Sequence, residues 1–273
     1  MNSKKRISNE SKSIRSWLRD ERNSIFSMIW QSLFNERIGY CPNSKGDILI
    51  GSGFTLPNIV YLPVVNDFHS LGYNATIENN GGWLTRSNYE RRQDLFLELA
   101  FKYVERHGPF DYFVGHSLSG LQGMILPKYF PRIKRVFSFS PPTNGGWPRM
   151  LANLGDRIGI LVPEPMRKEI TEDIIQTAQN YPEKIVTFST PLDRLCPPEV
   201  SAFPNERATN IIIDPNEMIR YGYEKDIRHC THVGLISSRF VIDHYLNPII
   251  LEDEEKLKAK KKHFLKISRK YAA

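Results

Sequence analysis

From residue 47 onward, short apolar runs alternate with stretches whose apolar positions recur at helical spacing. DILIGSG (47–53), YNATIEN (73–79), DYFVGHS (111–117), IKRVFSFS (133–140), KIVTFST (184–190) and TNIII (209–213) have the β-branched and aromatic character of buried strands. Residues 58–70 read as a helix, and Ser87 with Glu90 forms a capping box for another that runs to about Arg106. Leu95, Leu99 and Val104, with Phe96, Ala100 and Tyr103, make its apolar side. His107-Gly108-Pro109 ends it, because Gly suits a helix C-cap and Pro cannot continue the turn. This alternation predicts an α/β fold, a mostly parallel sheet of about six strands covered by helices on both faces.

Three segments fall outside that rhythm. Residues 144–182 are long for a connection; NGGWPRM opens them, GILVPEP interrupts them, and 165–179 reads as a helix with Ile170, Ile174 and Ile175 on one face. A helical cap inserted into a single domain is expected there. In residues 1–39, Ile14, Trp17, Leu18, Ile25, Met28, Ile29 and Leu33 recur at helical spacing, widened by Phe26 and Trp30. They form a helix packed on its own domain, or one lying on a membrane or a partner protein. Asp20 and Glu21 interrupt its basic face, which weakens the membrane reading. LEDEEKLKAKKKHFLKISRKYAA at the end is a charged, helix-permissive tail. The expected division is a helical extension over 1–46, the α/β domain over 47–250 with its cap at about 144–182, and a basic tail over 251–273.

The net charge of +7 sits at the two ends. Residues 1–39 and 252–273 each carry eight basic and four acidic side chains, whereas the span between them holds 21 and 22. A nucleic-acid-binding domain is therefore not expected, while peripheral membrane or protein contact through the two ends is left open. Three cysteines are too few for a disulfide scaffold and match no zinc spacing, so no metal site is expected. No stretch reaches 18 apolar residues, and no signal-peptide-like apolar run follows the basic start. A cytoplasmic location, with peripheral membrane contact still open, is the expectation.

The chemically informative string is FVGHSLSG (113–120). Ser117 stands where an apolar strand gives way to a helix-like run, the place at which a tight, strained turn lifts a serine clear of a sheet. Gly115, Ser119 and Gly120 are small enough for the backbone to fold beneath it, although Ser119 replaces the glycine of the usual G-x-S-x-G pattern. A serine hydroxyl needs a base, and the base needs an orienting acid, both later in the chain. Asp193, in KIVTFSTPLDRLCPPE after a strand, is the favoured acid, with Asp214 in IIIDPN as its rival. Of the histidines beyond it, His244 lies in the periodic FVIDHYL and His263 in the charged tail. HCTHVGL leaves His229 and His232, and His232 beside Gly234 is better placed to come off a loop above the sheet. Backbone N–H groups of Leu118, at the helix start, and Phe54, in the GSGF turn opened by Gly51 and Gly53, are candidate oxyanion donors. That turn lacks the lysine of a phosphate-binding loop, so a nucleotide site is not expected.

With these residues in place, the chain resembles the α/β-hydrolase superfamily, and within it bacterial lipase- and esterase-type members, from about Asp47 to Pro248. GHSLSG resembles the nucleophile elbow, ILIGSGF the oxyanion loop, and FSFSPPTNGG the turn after the following strand. VTFSTPLDRLCPPEVS resembles the segment that presents the catalytic aspartate, which selects Asp193. THVGL resembles the segment that presents the histidine, which selects His232. The resemblance implies cofactor-free hydrolysis of carboxylic esters, often of lipids, with Ser117 as nucleophile. An acyltransferase or thioesterase using the same residues, or an inactive binding protein of this fold, remains open. Trp83, Trp147 and Leu151 are candidate acyl or cap contacts beside Phe54. If Asp193 and His232 meet, the Cys196 and Cys230 loops are neighbours, and a disulfide between them is open, as in some secreted lipases. A reducing cytoplasm argues against it.

Overall fold

The computed structural model describes residues 19–23, 43–53, 58–77, 93–145 and 166–271, with 260–271 as backbone alone. Strands β1 (Asp47–Gly51), β2 (Asn74–Ile77), β3 (Tyr112–His116), β4 (Arg135–Phe139), β5 (Ile185–Ser189) and β6 (Thr209–Ile212) form one sheet in the order β2-β1-β3-β4-β5-β6. Every neighbouring pair is parallel. Parallel neighbours cannot be joined by a hairpin, so each connection must cross a face of the sheet. Helix α1 (Leu62–Ser70) lies between β1 and β2, α2 (Gln93–His107) between β2 and β3, and α3 (Leu118–Gly123) directly after β3. Helix α4 (Lys168–Ala178) precedes β5, α5 (Pro215–Arg220) follows β6, and α6 (Asn247–Tyr271) closes the chain. Strand order reverses at β1 and β3: β2 is added on one side of β1, and all later strands on the other. In open parallel sheets such a switch leaves a crevice at the carboxyl ends of the strands.

The strands alternate between two apolar cores, as side chains on successive residues must. Ile48, Ile50, Tyr112, Val114, Phe137, Phe139, Val186 and Phe188 point to one face, where Val64 and Phe68 of α1 and Phe240, Leu246 and Ile250 near the C-terminus meet them. Leu49, Phe113, Val136 and Ile185 point to the other, against Phe96 and Ala100 of α2, Leu121 of α3 and Ile174 and Ala178 of α4. Burial on both faces explains why these strands read as continuous apolar runs.

The structure refines several expectations. On α2 the buried line is Phe96 and Ala100, with Leu95 and Leu99 only half-buried. β6 is an edge strand, with Ile212 55% exposed rather than buried. The described part of segment 144–182 is chiefly α4, whose Ile174 is buried in the second core with Ile170 and Ile175 packed beside it. Residues 146–165, the capping box at Ser87 and Glu90, and the apolar stripe of the N-terminal extension lie outside the described residues. α6 extends on both sides of residue 250, and its early turns are anchored. Asp253 accepts from the Arg135 guanidinium at 2.9 and 3.1 Å, and Tyr73 donates to Glu254. Among the described residues, no helix is long and apolar enough to cross a membrane.

Candidate active site

β3 ends at His116 and α3 begins at Leu118, so Ser117 alone makes the turn between them. Its backbone has φ 53° and ψ −118°, a conformation in which an L-residue is strained. Strand and helix approach so closely that a Cβ on Gly115 would stand 2.7 Å from the Gly120 backbone. The Ser117 N–H is tied to the Phe139 carbonyl at 2.7 Å. Ser119, where the usual pattern has glycine, uses its hydroxyl: it accepts from the His116 N–H (3.1 Å) and donates to the His116 carbonyl (3.0 Å). The departure from glycine thus adds a side-chain brace to the elbow.

Two loops at the same edge of the sheet bring Asp193 and His232 to this serine. The first follows β5. There the Leu195 and Cys196 N–H groups both donate to Asp193 Oδ1 at 2.9 Å, which turns the carboxylate inward. The second lies beyond β6, between short 3-10 turns at Glu224–His229 and Leu235–Ser237. His232 Nδ1 stands 2.9 Å from Asp193 Oδ2, and its Nε2 stands 2.9 Å from Ser117 Oγ. A carboxylate only accepts, so Nδ1 carries the hydrogen and Nε2 is left to accept from the serine hydroxyl.

Asp193 is fully buried and His232 nearly so, while Ser117 is partly open to solvent. Burial would raise the Asp193 carboxyl. The facing imidazole and the Cys196 N–H overcome that and hold it below its usual range. Ser140 Oγ, buried without a well-formed hydrogen bond of its own, adds a pull in the same direction. Burial likewise opposes a charged His232, and the Asp193 carboxylate outweighs it, raising the imidazole well above its ordinary value. Such a row can take a proton from the serine hydroxyl and stabilise the imidazolium that results.

The turn after β1 faces this row across the strand-order switch. A Cβ on Gly53 would collide with His116, so only glycine fits there. The Gly53 N–H donates to Tyr61 Oη at 2.6 Å, and Tyr61 donates in turn to His116 Nδ1 at 2.8 Å. Gly53 is therefore committed to this link, and the next amide in the turn, that of Phe54, lies outside the described residues. The Leu118 N–H opens α3, where a helix's first amides have no carbonyl one turn behind them. Trp83, Trp147 and Leu151 also lie outside the described residues.

The rival residues have other places. Asp214 caps α5 by accepting from the Asn216 N–H. His229 is buried with its Nδ1 3.4 Å from Ser237 Oγ and its Nε2 taking a hydrogen bond from Arg228, so it joins neither partner. His244 packs among the rings of Tyr221, Tyr223 and Phe240. Cys196 and Cys230 are both free and buried, not bridged. The Cys230 sulfur is engaged by Met218 at 3.0 Å, and burial pushes its thiol up to about 12.

No family model and no curated protein matches the chain. Solved structures do. An esterase domain from Rhodothermus marinus is 17% identical over 73% of this chain and 84% of its own, with a TM-score of 0.46. A monoacylglycerol lipase from Paleococcus ferrophilus is 15% identical over 71% and 95%, with a TM-score of 0.49. A Bacillus licheniformis lipase is 13% identical over 78% and 95%, also at 0.49. Likenesses this distant decide nothing about chemistry. The chain's own parallel sheet, its order β2-β1-β3-β4-β5-β6 and the helices on both faces are the architecture of the α/β-hydrolase fold.

Proposed function

We propose that the protein is a serine hydrolase of carboxylic esters with hydrophobic acyl groups, acting through an acyl-enzyme. The observation that carries this reading is the continuous row Ser117 Oγ–His232–Asp193, with 2.9 Å at both joints, at a strained strand-to-helix turn. Ser117 attacks the ester carbonyl while His232 Nε2 takes its proton and Asp193 holds the ring in the required tautomer. The negative charge that develops on the carbonyl oxygen is met by backbone N–H groups, with Leu118 and Phe54 as the candidate donors. His232 then protonates the departing alcohol, and water repeats the attack on the acyl-enzyme with the same base. Phe54, Trp83, Trp147 and Leu151 remain the candidates for acyl contacts. The carboxyl edge of the sheet is the expected substrate face, because both loops and the elbow open there.

Hydrolysis of p-nitrophenyl esters across a series of acyl lengths tests the reading. The expected result is turnover by the wild-type protein, lowered about 10⁴-fold or more in Ser117→Ala with the fold intact. Equal turnover by the two proteins at matched purity would overturn it.

A further inference from the structure

The helical segment at residues 19–23 belongs to the N-terminal extension, yet it reaches the site. Arg19, Asp20, Arg22 and Asn23 are exposed, whereas Glu21 between them is only 8% exposed. Its carboxylate accepts from the N–H of His232 at 2.7 Å through Oε1 and from the N–H of Val233 at 3.1 Å through Oε2. Those amides sit in a buried loop outside the strands, where an unmet N–H costs the full desolvation of the group. A charged acceptor bridging two of them makes a strong and directional attachment. On the other side of the same residue, His116 Nε2 stands 2.7 Å from the His232 carbonyl oxygen. A carbonyl only accepts, so His116 carries its hydrogen on Nε2 and receives the Tyr61 hydroxyl on Nδ1. His232 is thus held at its N–H by Glu21, at its carbonyl by His116 and at its ring by Asp193.

We propose that Glu21 is a positioning residue of the active site: with His116 it clamps the His232 backbone from both ends and so aims Nε2 at Ser117. Residues 19–23 of the N-terminal extension are then part of the catalytic assembly. This inference rests on the reading of His232 as the base, and it concerns the base's placement, not its chemistry. Attack by serine tolerates little misalignment, and a displacement of about 1 Å can cost about 100-fold. Removing the carboxylate frees two amides and lets the loop shift, which acts on the chemical step and leaves substrate binding alone.

The test measures kcat and KM for a p-nitrophenyl ester, together with the low-field NMR resonance of the proton between His232 Nδ1 and Asp193, in full-length wild type, Glu21→Ala and Glu21→Gln. For Glu21→Ala the expected result is a fall in kcat of about 10- to 100-fold with KM within about twofold, and a broadened or displaced resonance. Glu21→Gln falls between it and the wild type, because an amide oxygen can still accept one of the two N–H groups. Should the alanine variant fail to fold, the glutamine variant carries the test by the same two readouts. If the wild-type protein hydrolyses no ester, the proposed function fails, and the resonance alone then decides the clamp. A folded variant with unchanged kcat and an unchanged resonance, or with lowered thermal stability alone, would overturn the proposal.

Discussion

The two ends of the parallel sheet are built on opposite terms. At the carboxyl ends lie Ser117 and Ser140, the only non-glycine residues at positive φ among those described, together with the buried carboxylates of Asp193 and Glu21 and the buried rings of His116 and His232. Each of these features costs stability where nothing compensates it. The amino ends are conventional. Arg135 at the start of β4 pairs with Asp253, Lys134 pairs with Asp111 at 3.0 Å, and Tyr73 just before β2 holds Glu254. The difference also separates the two basic termini. In the parts of them that are described, Glu21 attaches at the carboxyl end and Asp253 with Glu254 at the amino end. A fold of this kind concentrates strain and buried charge at one edge and leaves the other to hold the molecule together.

Changes at the carboxyl end should therefore lower turnover, and changes at the amino end should lower stability and leave turnover alone. The largest effect is expected for Asp193→Asn. It leaves His232 without its orienting carboxylate and lowers kcat about 10⁴-fold. The wild-type imidazole is raised well above its ordinary value by that carboxylate, and only its neutral form accepts the serine proton. Wild-type kcat/KM should accordingly climb with pH along a limb above the usual imidazole range, and in Asp193→Asn the limb moves to lower pH. Tyr61→Phe is expected to have a smaller effect, about tenfold in kcat, because it removes the hydroxyl that joins the Gly53 N–H to His116 and leaves a buried amide unmet. Circular dichroism melts should show its fold retained. The smallest effect on turnover is expected for Asp253→Asn: kcat unchanged, with about 1–3 kcal/mol lost from unfolding free energy in a urea titration. A fall in kcat for Asp253→Asn matching that of Tyr61→Phe would erase the distinction between the two ends.

How far the sequence could be read follows the same division. The strands were legible because burial on both faces leaves unbroken runs such as DILIG and YFVGH. Ser117, Asp193 and His232 could be singled out because each follows a strand or precedes a helix in a fixed chain order, and the structure brings these three together. Glu21, Tyr61 and His116 escaped notice because their partners are backbone groups and one another, contacts that impose no pattern on neighbouring residues. Glu21 lies 211 residues from His232 and reads in sequence as a charge interrupting an amphipathic face. Ser119 looked like a tolerated loss of glycine, and only the geometry gives its hydroxyl two bonds to His116. Cys196 and Cys230 do lie on the two neighbouring loops, but spacing cannot reveal that the Cys230 sulfur is engaged by Met218. β6 reads as buried because an edge strand and a central one share their β-branched composition.

The most direct measurement is reaction with a fluorophosphonate, followed by intact mass and peptide mapping, in the wild type and in His232→Ala. The account predicts one adduct per chain, located on Ser117, formed at least about 100-fold more slowly when His232 is absent. An adduct on another residue, no adduct at all, or a rate indifferent to His232 would contradict it.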